Sequence, residues 1–267
     1  MIDKTAIIDP SAQIAEDAII GPNVVIGKNV KIGSKTRVIA NAYIEYAEIG
    51  EGCTISPFAT IGSEPQDLGY KGEETKVVIG DGTIIKENVT VHRGAACGDF
   101  TTRVGKKCLL MVGSHVAHNC VLEDEVILAN LVTLGGHVHV GFGAFVGGMS
   151  VFHQNIRIGK MTIISGFSAA RQDILPYSKG EGRPPVPRGL NVVALKRRGV
   201  SQEERTVANE AFKLLISDDL NTSQAIEKIR KELPQNKYVD DMIEFIQSSK
   251  RGVTLKSHKS GYQSLEG

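Results

Sequence analysis

From Val104 to Leu175 the chain repeats every six residues. Hexads open at Val104, Leu110, Val116, Leu122, Leu128, Leu134, Val140, Val146, Phe152, Ile158, Ile164 and Ala170. Four residues into each sits a small or β-branched residue, among them Cys108, Ser114, Cys120, Val126, Val132, Val138, Ala144 and Ser150. An α-helix turns every 3.6 residues and cannot hold a six-residue period on one face. A parallel β-helix can, and hexapeptide repeats are one of its signatures. The same register begins early, at Ile8, Ile14, Ile20, Ile26, Ile32, Val38 and Ile44. One hexad then loses a residue before Ile49, Ile55 and Ile61, and a third block gives Ile79, Ile85 and Val91. Residues 63–78 and 94–103 interrupt the blocks. Together they are rich in Gly, Pro and charge, and they read as loops thrown out from the coils.

Composition narrows the function classes. The 267 residues carry a net charge of +1, so there is no basic excess to suit nucleic acid. No run of about 18 apolar residues is present, so no transmembrane segment is expected. The opening Met1-Ile2-Asp3-Lys4 lacks the apolar core of a signal peptide, which suggests a cytoplasmic protein. Cys53, Cys108 and Cys120 fall on the inward small position, Cys97 falls in a loop, and no C-x-x-C pair occurs. Packing, rather than redox or metal chemistry, is the expected use of these thiols.

The repeat stops at a run of prolines, Pro176, Pro184, Pro185 and Pro187. Residues 1–190 therefore read as a β-helix with two excursion loops, and 191–267 as an α-helical domain with a loose tail from Val253. Ser201 and Glu204 have capping-box spacing ahead of an apolar stripe, Ala208, Ala211, Phe212 and Leu215. A second helix is predicted over about 221–233. A third is predicted over about 236–250, with Gly252 as its stop.

The hexads resemble the left-handed parallel β-helix of the hexapeptide acyltransferases. That resemblance implies three hexads, 18 residues, per coil of a triangular prism. It also supplies the hand, since parallel crossovers are otherwise nearly always right-handed. On such a coil His118, Gly136 and Gln154 stack in one column, and Asn119, His137 and Asn155 in the next. An imidazole then lies beside bare glycine backbone. The imidazole can take a proton near neutral pH, and the backbone N–H can meet a developing oxyanion. A zinc site from His115, His118 and His137 is the competing chemistry, although Asn119 and Gln154 are poor ligands. A non-catalytic scaffold would have no reason to gather histidines beside glycines between two loops.

The resemblance tightens at "PQDLGYKGE", "VTVHRG", "GSHVAHNCVLEDEVILANLVTLGGHVHV" and "GLNVVALKRRG". Together they are similar to the UDP-N-acetylglucosamine acyltransferase family of lipid A biosynthesis, over roughly residues 1–252. A sibling family that acts later and N-acylates glucosamine carries an extra domain before its hexads, for which a repeat starting at Ile8 leaves no room. The resemblance implies transfer of an (R)-3-hydroxyacyl group from acyl carrier protein to the 3-position of a UDP-sugar, by a homotrimer with sites between subunits. No cofactor and no metal are implied, because the donor is carried on the phosphopantetheine of the carrier protein. Matching positions make His118 the general base and Gly136 the oxyanion donor. They make Asp67 a sugar contact, and His115, His137, His153 and Gln154 contacts to sugar and phosphopantetheine. Asn191, Arg197 and Arg198 match nucleotide and diphosphate contacts, a role suited to forked guanidinium donors. Gly166, stacked on Gly148, matches the end of an acyl groove, which Phe167 and Met161 are expected to narrow.

Four positions depart from the family's common pattern: Gly69 replaces a Lys, Asn119 an Asp, Val193 a Glu and Asn155 a Phe. Loss of the Lys at Gly69 also suits a sugar bearing a 3-amine, so amide formation on that analogue is the alternative reaction. The carrier-protein docking residues are not legible.

Overall fold

The computed structural model describes residues 1–256. Each hexad folds into a two-residue strand and a four-residue turn, so that every third strand pairs in parallel. Three sheets result, of nine, ten and ten strands. Face one holds Ile7–Ile8, Val25–Ile26 and their successors through His115–Val116, Thr133–Leu134 and Ala169–Ala170. Face two holds Gln13–Ile14 through Val121–Leu122 and Asp173–Ile174, and face three holds Ile19–Ile20 through Ile127–Leu128 and Ile163–Ile164.

Within each strand the first residue points outward and the second inward, as in the exposed Lys31 and buried Ile32. The small residue immediately before the next strand points inward as well. Val116, Cys120, Leu122, Val126, Leu128 and Val132 are all essentially inaccessible to solvent. The cysteines Cys53, Cys108 and Cys120 are free thiols inside this core. Most turns use one left-handed residue to bend the chain. Asn119, His137 and Asn155 take it at φ 57°, 60° and 63°, a region that Asn and His enter more readily than most residues.

The two interruptions leave the prism at one edge. Face one reaches Ile61 and face two resumes only at Lys76; one coil later, face one reaches Val91 and face two resumes at Thr101. Both loops therefore leave the edge between faces one and two. His118, Gly136 and Gln154 lie on that same edge in the next three coils.

Near the end the repeat slips. Phe152 still pairs with Ala170, but Ile158 pairs with Ile174, two residues short of a full coil. The cause is polar. Asp173 is fully buried, and its carboxylate accepts from the Arg157 backbone N–H at 2.7 Å, from Arg157 Nε at 2.9 Å and from Ser249 Oγ at 2.8 Å. A hairpin, Ser178–Glu181 and Val186–Leu190, then extends face three.

Four helices follow: α1 (Val192–Arg197), α2 (Gln202–Ile216), α3 (Thr222–Glu232) and α4 (Lys237–Gln247). The capping box of Ser201 and Glu204 is present at α2. A second core of Tyr177, Phe212, Leu215, Ile229 and Met242 seats the helices on the last coils. Lys160 binds Asp241 at 2.8 Å across that junction, and Arg157 Nη2 donates to the Phe245 carbonyl at 2.8 Å.

Two expectations change. The tail is not loose at its start: Val253–Thr254 pairs in parallel with Asp173–Ile174 and adds the last strand of face two. Gly252, at φ 74°, turns the chain into that strand, whereas α4 has already stopped with Ser248 as its cap. Residues 257–267, including His258, lie outside the described residues.

Candidate active site

The site assembles on the edge between faces one and two. His118 sits at a turn, half-buried, directly below Gly136. The stacking is tight: a Cβ on Gly136 would lie 2.6 Å from His118 Nε2. No side chain fits there without moving the imidazole. The next column is in register too, with His137 N–H donating to the His118 carbonyl and Asn155 N–H to the Gly136 carbonyl, both at 3.0 Å. Among the described residues the Gly136 N–H itself has no acceptor.

Asn119 fixes which imidazole nitrogen is basic. The Ala95 backbone N–H donates to Asn119 Oδ1 at 2.9 Å, and Asn119 Nδ2 donates to the Ala95 carbonyl at 3.1 Å. A backbone N–H can only donate, so the amide orientation is set. The 2.9 Å contact between His118 Nδ1 and that same Oδ1 is then an Nδ1–H donated by histidine. The lone pair falls on Nε2, facing the Gly136 backbone. The Asn that replaces the family's Asp therefore keeps the orienting oxygen and gives up only its charge. It is held by the second loop, and a Cβ on Gly98 would come within 2.5 Å of Asn119 Nδ2.

The first loop supplies Asp67. Its Oδ1 accepts from the Gly69 N–H at 2.9 Å, and the Cys97 thiol lies 3.6 Å from Oδ2. The Gly69 N–H holds this carboxyl below the usual range, with Cys97 and the nearby His118 and His137 acting in the same direction. The backbone thus does at Asp67 what a cation two residues on would otherwise do. Arg93 anchors the loop from below. Its guanidinium is 6% exposed, donates to Glu45 at 3.0 Å and to the Gly62 carbonyl at 2.8 Å, and lies 4.5 Å from the centre of the Tyr46 ring. Its second nitrogen reaches the Tyr70 hydroxyl at 3.1 Å. Removing such a buried cation would strand its carboxylate partner.

His137 stands edge-on to His118, ring centres 5.2 Å apart. Burial, then the His118 charge, lowers its pKa. His115 lies on face one, 2.7 Å from Thr90 Oγ1 through Nδ1. Burial first, then the His92 and His118 charges, push it down to about 4, so it is neutral at physiological pH. His153 and Gln154 are exposed one coil above, and Arg251 from the C-terminal domain donates to His153 Nδ1 at 2.7 Å.

The remaining expected residues do not join this cluster within one chain. Gly148 and Gly166 stack on the edge between faces three and one; a Cβ on Gly166 would lie 3.1 Å from the Gly148 carbonyl oxygen. The solvent-exposed side chains Leu131, Met149 and Phe167 line the adjacent column. Met161, expected to narrow that groove, instead sits on the edge between faces two and three and packs under the helical domain. Asn191 caps α1 through Oδ1, and its Nδ2 donates to the Met161 carbonyl at 2.7 Å. Arg198 pairs with Glu125 on that same edge and lies 4.8 Å from the Phe142 ring centre, while Arg197 is exposed. The expected residues therefore occupy all three edges of the prism.

Sequence reasoning missed two members of the site. Nothing in its spacing marked Arg93 as buried. Cys97 read as an ordinary loop cysteine, yet its Sγ lies 3.3 Å from His137 Nε2. Among the described residues the group close enough to share a metal is Cys97, His118 and His137, and not the trio with His115 that the competing zinc reading named.

A left-handed parallel β-helix of hexapeptide repeats, with a histidine stacked on glycine backbone, defines a hexapeptide-repeat acyltransferase. The comparisons agree. Residues 173–254 match the family described as Udp N-acetylglucosamine O-acyltransferase, domain 2, and residues 2–94 match the GMPPB C-terminal domain. The acyl-(acyl-carrier-protein)–UDP-N-acetylglucosamine O-acyltransferase of Thermodesulfovibrio yellowstonii is 47% identical over 253 residues, 94% of this chain and 98% of its own. The solved UDP-N-acetylglucosamine acyltransferase of Bacteroides fragilis superposes with a TM-score of 0.91 at 38% identity, over 95% of this chain and 99% of that one. That of Francisella novicida gives 0.91 at 36%, over 97% and 95%. The chain belongs to the UDP-N-acetylglucosamine O-acyltransferase family.

The fit of His118 against Gly136 generates a prediction. Gly136→Ala keeps the backbone N–H but pushes the imidazole off its position. It should lower kcat by about 10²–10⁴-fold, the range of a lost general base, with Tm little changed. Unchanged kcat would separate Gly136 from the chemistry.

Proposed function

We propose that the chain transfers a 3-hydroxyacyl group from acyl carrier protein to the 3-hydroxyl of UDP-N-acetylglucosamine, with His118 as base and Gly136 as oxyanion donor. One observation carries the reading: His118 Nε2 faces the Gly136 backbone while Asn119 pins Nδ1. In this scheme His118 Nε2 takes the proton of the sugar hydroxyl as that oxygen attacks the thioester carbonyl. The Gly136 N–H receives the charge that develops on the carbonyl oxygen. Collapse of the adduct breaks the C–S bond, and the imidazolium returns its proton to the departing thiolate. Asn119 Oδ1 accepts the Nδ1 proton of the imidazolium as a neutral partner.

Asp67 is positioned to accept from the sugar. His115 and His137 bound the cleft as neutral imidazoles, and His153 and Gln154 stand above it for the donor arm. We assign the diphosphate to Arg197 and Arg198, the nucleotide side to Asn191, and the acyl chain to the groove of Gly148 and Gly166.

These assignments call for a neighbouring copy of the chain, and we infer the homotrimer that the family resemblance implies. The base, the acyl groove and the arginines lie on three different edges of the prism, so only a neighbouring copy can bring an arginine or the groove to His118. The exposed apolar column beside the glycines, Leu131, Met149 and Phe167, suits both a subunit contact and an acyl chain. No helix among the described residues is long and apolar enough to cross a membrane. We place the reaction in the cytoplasm, where acyl carrier protein would supply the donor.

Two outcomes follow. With 3-hydroxydodecanoyl- or 3-hydroxytetradecanoyl-carrier protein as donor, wild type should acylate UDP-N-acetylglucosamine and His118→Ala should lose about 10²–10⁴ in kcat. A marked preference for the 3-amino sugar would move the reading to amide formation. Gly166→Met should shift selectivity to shorter chains by about tenfold per two carbons, given about 0.8 kcal/mol per buried methylene. An unchanged chain-length profile would remove Gly166 from the groove.

A further inference from the structure

Cys97 has no role in the proposed acyl transfer, yet the second loop hangs it over the base. The ligand atoms of Cys97, His118 and His137 all lie within 4.8 Å of one another. Cys97 Sγ is 3.3 Å from His137 Nε2 and 3.6 Å from Asp67 Oδ2. Zinc bonds of about 2.0–2.3 Å at tetrahedral angles put neighbouring ligand atoms about 3.3–3.8 Å apart. Two of the spacings already fall in that range, and the thiol belongs to an exposed loop residue that is in no disulfide. The nitrogen that His118 offers is Nε2, because Asn119 holds the proton on Nδ1. That second hydrogen bond is the outer support metal-binding histidines ordinarily have.

We propose that Cys97, His118, His137 and Asp67 form an inhibitory site for a zinc-type divalent cation, which occupies the lone pair that catalysis needs. Binding replaces the thiol proton with the metal and releases that proton to solvent, leaving thiolate, two neutral imidazoles and a carboxylate around the ion. The occupied enzyme cannot deprotonate its acceptor, and Asp67 is withdrawn from the sugar. Metal and UDP-sugar therefore exclude each other. The inhibition rests on the proposed role of His118; the binding does not.

Two measurements on the full-length protein separate these parts. Titration with Co²⁺ should give a thiolate-to-metal absorption band saturating at one ion per chain. Cys97→Ser should abolish it, the other three thiols being sealed in the prism core. In zinc-buffered assays wild type should be inhibited competitively with the UDP-sugar and recover on chelation. Cys97→Ser, referenced to its own rate in metal-free buffer, should need at least about tenfold more zinc for half-inhibition. Absence of a thiolate band in wild type, or equal zinc sensitivity of the two proteins, would overturn the proposal. A band without inhibition would retain the site but reject its regulatory part.

Discussion

In-register parallel stacking governs everything else in this molecule. A two-residue strand is too short to be stable alone, and each coil gains its stability by burying inward residues against the coils above and below. Register is enforced by the core: a slip of one residue would turn Val116, Leu134 and Phe152 outward. The same constraint converts distance along the sequence into position in space. His118, Gly136 and Gln154 share an edge because they are a coil apart. The loops carrying Asp67 and Cys97 reach that edge because both interrupt the same turn of the repeat.

A rigid prism positions the side chains on its edges closely at little entropic expense. His118 is fixed by the turn that carries it, by glycine backbone against its Nε2 face and by an amide on its Nδ1. Asn119 in turn is fixed by two hydrogen bonds to Ala95 on the loop. The loops themselves lack a repeat to hold them. Arg93 compensates by tying Gly62 and Tyr70 to Glu45 through one buried guanidinium. Against His118 Nδ1 stands a neutral amide, and burial keeps His115 uncharged.

The hexad was legible because each hexad contributes the same two inward positions, so the core pattern repeats in plain sequence. Stacking on the 18-residue coil that the resemblance implies then brought His118 beside Gly136. Legibility failed where the repeat stopped carrying information. The slip at Asp173 goes with the pairing of its buried carboxylate with the partly exposed Arg157, which no periodicity records. The final strand at Val253 pairs with a segment 80 residues earlier, as Asp173 does with it. Met161 and Met149 fill equivalent turn positions on different edges, and counting hexads by three was needed to tell them apart. Cys97 and Arg93 act through side-chain reach from irregular loops, where spacing has no geometric meaning.

The central claim is that one active site draws on more than one copy of the chain, with His118 from one edge and Arg198 from another. Subunit complementation tests it most directly. His118→Ala and Arg198→Ala would be purified as separate inactive proteins, then co-assembled into mixed trimers and assayed for acyl transfer. The account predicts recovered turnover, because some interfaces in a mixed trimer pair an intact base with an intact arginine. Mixed trimers that form but stay as inactive as their parents would contradict it, and would place the whole site within a single chain.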